Sequence, residues 1–359
     1  MPTTTERIIS ADDHMDLNVL PVDLFASRLP SKLRDRAPQV VDKGDGPVWE
    51  VEGTVLGPSG RKAQGLIRGH DHGFRPGVPE QRLEDMDRDG VYTHIIYGPP
   101  QGIPVPDVDL RVACLQAYND WADEFNAVNR NRLMILAIIP GHTPEAATAE
   151  LRRSAALGHK GVLLRHLEGD APVFEEPWEP FWDAANEIGI PVNVHLGGGL
   201  HSLRARPNSW RHPAMVAVIP MQLDEVLVGM VFSGILERHP KVKIVLGESG
   251  LGWIPYVLAR MDHEQHKYDA LIHDVRLPMR PSEYFHRQIY VTYEEDNLGI
   301  EMLDRIGSGN VMWASDYPHG DSTWPDSLQA IEESGLGKLD GDSRRRILWD
   351  NAAELYNIV

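Results

Sequence analysis

Eight short apolar runs, separated by longer stretches with helical patterning, constrain the fold of this 359-residue chain most strongly. Most of the runs are continuous in Val, Ile and Leu, which is typical of strands covered on both faces of a parallel sheet. Eight such strands with helical crossovers predict an α/β fold, a (β/α)8 TIM-type barrel. The predicted strands are 7–12, 91–98, 133–140, 161–165, 191–196, 242–247, 288–293 and 310–315.

The connecting segments carry helix signals. Residues 110–129 have apolar side chains at three- and four-residue spacing. Residues 143–158 begin with a Thr cap, a Pro and an early Glu, and end with Gly, which are start and stop signals of a helix. Segments 179–190 and 325–337 are similar. A doubly wound open sheet is the alternative fold, but no Gly-rich dinucleotide-binding loop follows the first strand to support it.

Two long connections depart from this repeat. Residues 15–83 follow the first strand, and the alternating, Gly-rich segment 48–57 within them predicts a small β-hairpin insertion. Residues 196–230 are rich in Arg, His and Pro. We predict that they form a long active-site loop, because long loops inside a compact domain are usually functional. A single domain over 1–359 is expected to carry both segments.

The negative net charge of the chain argues against some classes of binding partner. Nucleic acid and anionic membranes both need a basic face, whereas this chain has a net charge of -18. We see no apolar run of about 20 residues, the length of a membrane span, and no secretory signal at the N-terminus. The single cysteine, Cys114, excludes an intramolecular disulfide and fits a reducing compartment. We therefore expect a cytoplasmic protein that acts on a small molecule.

Residues suited to metal binding follow three of the predicted strands. Catalytic groups of α/β barrels project from the carboxyl ends of strands. Asp12 and His14 end the first strand, and residues two apart in an extended chain point to the same side. His195 ends the fifth strand and Asp316 follows the eighth. Two carboxylates and two imidazoles at one barrel end suit a divalent ion such as Zn²⁺ or Mn²⁺.

Each of these residues also has a structural interpretation. A D-x-H triplet often arises by chance, His195 could be a hydrogen-bonded core histidine, and Asp316 could cap the following segment. The combination, at the ends of strands one, five and eight, is what favours a metal site.

Five segments together resemble the amidohydrolase-2 branch of the amidohydrolase superfamily. They are IISADDH, PVNVHLGGG, GILERHPKVKIVLGESGLGWIPYVLARMD, VMWASDYPH and NAAELYNI. The resemblance covers nearly the whole chain and is weakest over 15–83 and 200–230. The branch includes aminocarboxymuconate-semialdehyde and resorcylate-type decarboxylases, together with hydrolases. The resemblance implies a soluble, metal-dependent enzyme that forms a homo-oligomer, a dimer or larger.

The resemblance also implies a role for each motif residue. Asp12 and His14 stand where the family has an H-x-H, D-x-H or E-x-H ligand pair, and His195 matches the histidine ligand after strand five. Asp316 matches an aspartate that binds metal, handles a proton, or does both. Glu248 stands where the well-studied decarboxylases carry a histidine, and could be a base, a ligand or a support for one. We predict one divalent ion, Zn²⁺ with Mn²⁺ as the alternative, and catalytic roles for Asp316 and Glu248.

Four further residues are candidates for substrate binding. Arg165 and His166 end the fourth strand, where Arg165 could hold a substrate carboxylate or form a structural ion pair. His319 could bind substrate or orient the aspartate three residues before it. Trp253, like Tyr97 near another strand end, could stack on a ring or pack in the core.

The long connections hold weaker candidates. His70, His72 and His201 follow no predicted strand, so we interpret them as loop residues that could belong to a lid. The Gly197–Gly199 run lacks the context of a phosphate-binding loop, which favours close backbone approach beside the metal as its reason.

The predicted function is hydrolysis of an amide, ester or lactone bond in a small carboxylated or aromatic substrate by metal-activated water. Glu248, in place of the histidine of the decarboxylases, tilts the prediction that way. The alternative is nonoxidative decarboxylation of an aromatic or muconate-type acid, with an acid protonating the carbon. A metal-binding scaffold without turnover is the non-enzymatic alternative, which the joint presence of all four ligand residues disfavours.

Overall fold

The computed structural model describes residues 6–60, 71–99, 102–197, 203, 209–271 and 273–359. The strands within these residues are β1 (Ile9–His14), β2 (Gln39–Asp42), β3 (Pro47–Val51), β4 (Thr54–Pro58), β5 (Thr93–Tyr97), β6 (Leu133–Ile135), β7 (Ala137–Ile139), β8 (Val162–Leu164), β9 (Val192–His195), β10 (Ile244–Gly247), β11 (Ile289–Tyr293) and β12 (Val311–Trp313).

The α-helices in the same residues are α1 (Leu24–Arg28), α2 (Pro79–Asp89), α3 (Val108–Val128), α4 (Pro144–Leu157), α5 (Glu179–Ile188), α6 (Arg211–Val216), α7 (Asp224–Phe232), α8 (Ile235–Arg238), α9 (Ile254–Tyr268), α10 (Pro281–Gln288), α11 (Asn297–Glu301), α12 (Leu303–Ile306), α13 (Ser327–Glu333), α14 (Gly341–Arg345) and α15 (Asn351–Tyr356). A π-helical turn, Arg346–Asp350, precedes α15. Short 3-10 helices lie at Leu17–Val19, Arg34–Arg36, Arg75–Gly77, Glu176–Trp178, Ile219–Leu223, Asp269–Leu271, Ser308–Asn310 and Leu336–Lys338.

The parallel strands follow the eight predicted runs. Each run overlaps a strand, although β1 lies two residues later than predicted and so includes the D-x-H triplet. The third run is divided between β6 and β7. Leu136, which separates them, donates its N–H to the carbonyl of Ile96, whereas Ala137 donates to the carbonyl of Gly161. One run therefore pairs first with the preceding strand and then with the following one.

Parallel pairing joins these strands in chain order. The order is β1-β5-β6 in one sheet and β7 through β12 in the other. Beyond β12, the N–H of Asp316 donates to the carbonyl of Asp12 at 3.1 Å. In the other direction, the N–H of His14 donates to the carbonyl of Tyr317 at 2.7 Å. These bonds connect the end of the strand order to its beginning.

Both faces of the parallel strands are covered. Along β10, Ile244 and Leu246 pack in the cluster that includes the surrounding helices. Val245, between them, packs in a second cluster with strand residues such as Ile95 and Met312. Because neither face meets water, both sets of alternating positions are apolar, which explains the continuous Val/Ile/Leu runs.

Local signals place the predicted helices within a few residues. The Thr143 hydroxyl accepts a hydrogen bond from the N–H of Ala146 at 3.2 Å at the start of α4, and Gly158 ends it with φ +102°. A glycine tolerates this left-handed conformation without the steric cost that a side chain would add. The segment predicted as one helix over 325–337 is divided into α13 and the 3-10 helix at Leu336–Lys338.

Thr143→Ala is expected to lower the free energy of unfolding by about 1 kcal/mol, because the first turn of α4 loses its side-chain acceptor. Urea unfolding followed by circular dichroism measures the change. Thr143→Ser keeps the hydroxyl and is the control. Equal stability of the alanine and serine variants would contradict the capping role.

The insertion after β1 has its own small sheet. The segment predicted as a hairpin at 48–57 corresponds to β3 and β4, and β2 adds a third antiparallel strand. Trp49 is fully buried and packs edge-to-face on Phe25 of α1 at 5.4 Å between ring centroids. The predicted range 15–83 also includes the start of α2.

Much of the segment predicted as a long active-site loop is helical. Residues 211–232 form α6, a 3-10 helix and α7. Contrary to the sequence-based expectation, Arg211–Phe232 is long and apolar enough, by length and composition alone, to cross a membrane. Only 28% of its most apolar window is buried, yet α7 packs into the protein core. One such helix is weak evidence for a span, and the buried side chains of α7 are Val226, Leu227, Met230 and Val231.

Candidate metal centre

A β-bulge in β1 separates the side chains of the DDH triplet. Ser10 pairs with His94, and Asp13 pairs with Ile96, so three steps along β1 match two along β5. Bulges change the side to which the following side chains point. Ser10 and Asp13 lie together, with the hydroxyl donating to the carboxylate at 2.9 Å. Asp12 lies on the other side, against the ends of β10 and β11.

Atoms of the four predicted ligands lie near one another beyond this bulge. Nε2 of His14 lies 3.0 Å from Oδ1 of Asp316 and 3.8 Å from Oδ1 of Asp12, which in turn lies 3.5 Å from Nε2 of His195. Metal bonds of about 2.0–2.2 Å place neighbouring ligand atoms roughly 3.0–3.6 Å apart. The pairs His14–Asp316 and Asp12–His195 lie in this range, and two overlapping groups could each hold a metal ion: Asp12, His14 and His195, and His14, Asp316 and His319.

The hydrogen bonding of these atoms supports the same interpretation. All four are buried and have no hydrogen-bond partner, whereas buried polar atoms almost always have one. Their other polar atoms are mostly anchored. Oδ2 of Asp12 accepts from the N–H of Glu248 and from the hydroxyl of Thr292, both at 2.7 Å, and Nδ1 of His195 lies 2.7 Å from the carbonyl of Leu196. These hydrogen bonds orient the side chains so that their unpartnered atoms face one another.

A glycine makes this close arrangement possible. A Cβ on Gly247 would lie 2.9 Å from the His195 ring and 3.1 Å from the Asp12 carboxylate. Only glycine therefore lets the end of β10 lie against both ligands.

His319 links Asp316 to a carboxylate that the sequence analysis missed. Its Nδ1 lies 3.0 Å from Oδ2 of Asp316, its Nε2 lies 3.0 Å from Oδ2 of Asp16, and its ring stacks on His14 at 3.9 Å. Burial lowers the pKa of His319, but the two carboxylates raise it well above its usual value. The sequence signal was available, since Asp16 continues the spacing of two from Asp12 and His14.

Glu248 follows β10 in a left-handed conformation with φ +53°. Its Oε2 lies 3.2 Å from Nε2 of His195, and its side chain is 35% exposed, which leaves it accessible to a bound molecule. Desolvation, together with the nearby Asp316 and Asp12 carboxylates, raises the pKa of Glu248 to about 8. Although burial opposes it, the same carboxylate of Asp12 and that of Glu248 raise the pKa of His195 to about 9.

Glu294 is a further carboxyl group that the sequence analysis missed. It follows β11, and its Oε1 is buried without a hydrogen-bond partner. Desolvation and the charges of Asp316 and Asp321 raise the pKa of Glu294 well above its usual value. Its position directly after the seventh predicted strand was the signal that could have identified it.

Comparison with known proteins places this chain in a family. The amidohydrolase family model matches residues 70–358, which is most of the chain. The chain belongs to the amidohydrolase family. It is therefore an enzyme, as predicted, and the recognised resemblance is confirmed.

Curated relatives of this amidohydrolase include two γ-resorcylate decarboxylases. The protein from Rhizobium sp. (strain MTP-10005) is 25% identical, over 75% of this chain and 86% of the relative. The protein from Rhodococcus jostii (strain RHA1) is 26% identical, over 78% of this chain and 88% of the relative.

Solved structures confirm the predicted TIM-type fold. An amidohydrolase from Mycobacterium avium subsp. paratuberculosis K-10 has a TM-score of 0.77 and 21% identity, and the match covers 99% of this chain and 100% of that one. A dihydroxybenzoic acid decarboxylase from Polaromonas sp. JS666, with bound manganese and the inhibitor 2-nitroresorcinol, has a TM-score of 0.67 and 19% identity, covering 98% of this chain and 97% of that one.

Two of the predicted substrate-binding residues of this amidohydrolase have mainly structural contacts. Nε of Arg165 pairs with Glu168 at 3.0 Å, the structural ion pair considered as the alternative, although its Nη1 is buried without a partner. Trp253 donates its indole N–H to the carbonyl of Ser249 at 2.7 Å and packs against the main core cluster. Tyr97 is fully buried and donates to Oδ1 of Asn193.

His166 lies close enough to the centre to interact electrostatically with it. Burial, followed by the charge of His195, lowers the pKa of His166 to about 4. Its imidazole is therefore neutral at physiological pH and can both donate and accept a hydrogen bond.

The loop candidates of this amidohydrolase fall partly outside the described residues, as His70, His201 and Gly198–Gly199 do. His72 packs edge-to-face against Tyr317 at 5.0 Å and Trp324 at 4.8 Å. It therefore contacts the segment that carries Asp316.

Proposed function

We propose that this amidohydrolase is a metal-dependent nonoxidative decarboxylase of a small aromatic hydroxy acid. The proposal rests on four candidate ligand atoms that have no hydrogen-bond partner and lie beside Glu248. The side chain of Glu248 is 35% exposed, so its carboxyl group is accessible to a substrate. Such a centre combines a cation with a separate proton donor. The γ-resorcylate decarboxylases among the relatives favour this reaction over the hydrolysis that the sequence analysis placed first.

The proposed cofactor is one divalent ion held by Asp12, His14, His195 and Asp316. When bound, the ion supplies positive charge that holds a substrate carboxylate and an adjacent hydroxyl oxygen. Two carboxylate ligands suit Mn²⁺, and the Polaromonas decarboxylase was solved with bound manganese. We therefore place Mn²⁺ ahead of the Zn²⁺ expected from the sequence.

The proposed roles of the side chains follow from their positions. Glu248 donates a proton to the ring carbon that bears the carboxylate. The bond from that carbon to the carboxylate then breaks, carbon dioxide leaves, and the electron pair of the bond restores the aromatic ring. Glu248 regains its proton from water. Asp316 and His319 form a second proton-carrying pair at the centre, and His166 contacts the substrate. The homo-oligomer remains a prediction from the family resemblance, and the cytoplasmic location remains a prediction from the sequence.

Isotopic labelling tests this function on the full chain. With Mn²⁺ and γ-resorcylate in D₂O, we expect carbon dioxide release and one deuterium on the carbon that carried the carboxylate. Benzoate, which lacks the adjacent hydroxyl, is the matched substrate control and is expected to be inert. A broader panel of ortho-hydroxy acids, amides and lactones in ¹⁸O-labelled water completes the test. Incorporation of ¹⁸O into product without carbon dioxide release would replace decarboxylation by hydrolysis.

A further inference from the structure

Two fully buried ionisable residues lie behind the candidate metal centre. Asp13, on β1, and Arg82, on α2, both have no exposed surface. Burying a charge is costly unless its surroundings compensate for it. Contacts within the fold must therefore compensate for the burial of Asp13 and Arg82.

Asp13 binds the backbone and side chain on either side of Asp316. Its Oδ1 accepts hydrogen bonds from the hydroxyl of Ser315 at 2.6 Å and from the N–H of Tyr317 at 3.1 Å. Asp316, between them, has φ +62°, a left-handed conformation that a non-glycine residue keeps only when its surroundings impose it. The contacts of Asp13 impose it from both sides.

Arg82 makes the corresponding contacts to His14 and Tyr317. Its Nη1 donates to the carbonyl of His14 at 2.9 Å, and its Nε donates to Nδ1 of His94 at 3.2 Å. The guanidinium carbon lies 4.9 Å from the centre of the Tyr317 ring. The Tyr317 hydroxyl in turn donates to Asp85, one helical turn beyond Arg82 on α2, at 2.6 Å.

We propose that Asp13 and Arg82 are positioning residues of the metal centre, which fix the backbone of Asp316 and His14 at ligand spacing before an ion binds. They act from the side of β1 that faces α2, opposite the ligand atoms. Groups of this kind prepare a site because the ligands then lose little freedom when the ion arrives. The inference rests on the proposed metal site and not on the proposed reaction.

The test compares two buried carboxylates. Asp13→Asn replaces the buried carboxyl group behind the centre by an amide. Glu150→Gln removes a carboxylate that is 3% exposed and bonded to Asn119 and Arg153, and so has no contact with the ligand segments. Titration with Mn²⁺, followed by electron paramagnetic resonance of the free ion, gives the Kd of each full-length variant. Thermal unfolding of the metal-free proteins gives their stability.

We expect Asp13→Asn to raise the Kd for Mn²⁺ by roughly 10- to 100-fold, as is usual for groups that orient metal ligands. Glu150→Gln should lose stability but keep the wild-type Kd. An unchanged Kd in Asp13→Asn, or an equal rise in Glu150→Gln, would overturn the inference while leaving the proposed function intact. Failure of the wild-type chain to bind Mn²⁺ would overturn both.

A second variant keeps the inference testable if Asp13→Asn does not fold. Ser315→Ala removes the 2.6 Å hydrogen bond to Asp13, together with the longer contacts of the Ser315 hydroxyl to the hydroxyl of Ser10 at 3.2 Å and to the N–H of Tyr317 at 3.4 Å. We expect a smaller rise in the Kd, several-fold, in the folded protein. A wild-type Kd in this variant would then count against Asp13 as a positioning residue.

Discussion

Asp316→Asn is expected to lower kcat by about 10³-fold or more, because it removes both a ligand charge and a group that can carry a proton. The carboxylate is buried, and His14 and His319 both lie 3.0 Å from it. Burial alone would raise its pKa, but the charge of His319 and the close contacts of both imidazoles with the carboxylate hold the pKa of Asp316 below its usual range. An amide of the same shape has no charge at any pH.

The fold should survive this substitution. Asparagine tolerates the left-handed conformation of Asp316 better than other non-glycine residues do. Turnover is measured at saturating Mn²⁺, and circular dichroism checks the fold. Asp321→Asn, on the exposed part of the same segment, is the matched control and should keep wild-type kcat. Near-normal turnover in Asp316→Asn would remove Asp316 from the mechanism.

The strands can be predicted from the sequence for a clear physical reason, which also suggests where the candidate ligands lie. Strands covered on both faces are apolar at consecutive positions, as Ile244, Val245 and Leu246 are in β10. Catalytic side chains of a barrel lie just beyond such runs. A polar residue at the end of an apolar run, such as His195, is therefore visible without any knowledge of contacts.

Residues that contact the ligands from other elements are not visible in this way. Arg82 reaches the carbonyl of His14 from α2, across 68 positions in the chain. The period of two predicts that Asp13 points away from Asp12, but the contact of Ser10 with Asp13, three positions apart, depends on a bulge in the pairing with β5 that no periodicity reveals. These features depend on register and packing, and only the folded chain brings them together.

The reaction was harder to predict than the centre. The sequence analysis took Glu248, in place of a histidine, as a sign of hydrolysis. A carboxyl group can accept or donate a proton, however, and its environment decides which. Glu248 lies near Asp12 and Asp316, which favour its protonated form. Residue type alone was therefore a poor guide to the reaction, and the curated decarboxylases favour the alternative.

His195→Ala is expected to raise the Kd for Mn²⁺ by more than about 100-fold, because loss of a ligand should cost more than the 10- to 100-fold typical of the groups that orient ligands. Nε2 of His195 is buried, has no hydrogen-bond partner and lies 3.5 Å from Oδ1 of Asp12. Alanine offers no ligand atom at this position.

Elemental analysis after dialysis and the Mn²⁺ dependence of Tm measure this loss independently. At an Mn²⁺ concentration of 100 times the wild-type Kd, binding stabilises the native protein by about 2.7 kcal/mol, and His195→Ala should lose most of that gain. His159→Ala is the matched control, since it also removes a buried imidazole, one that lies near the carbonyls of Ile135 and Asn119. Both variants should be less stable without metal, but only His159→Ala should keep the Mn²⁺-dependent rise in Tm. Wild-type metal content in His195→Ala would exclude His195 as a ligand and leave its unpartnered nitrogen without an explanation.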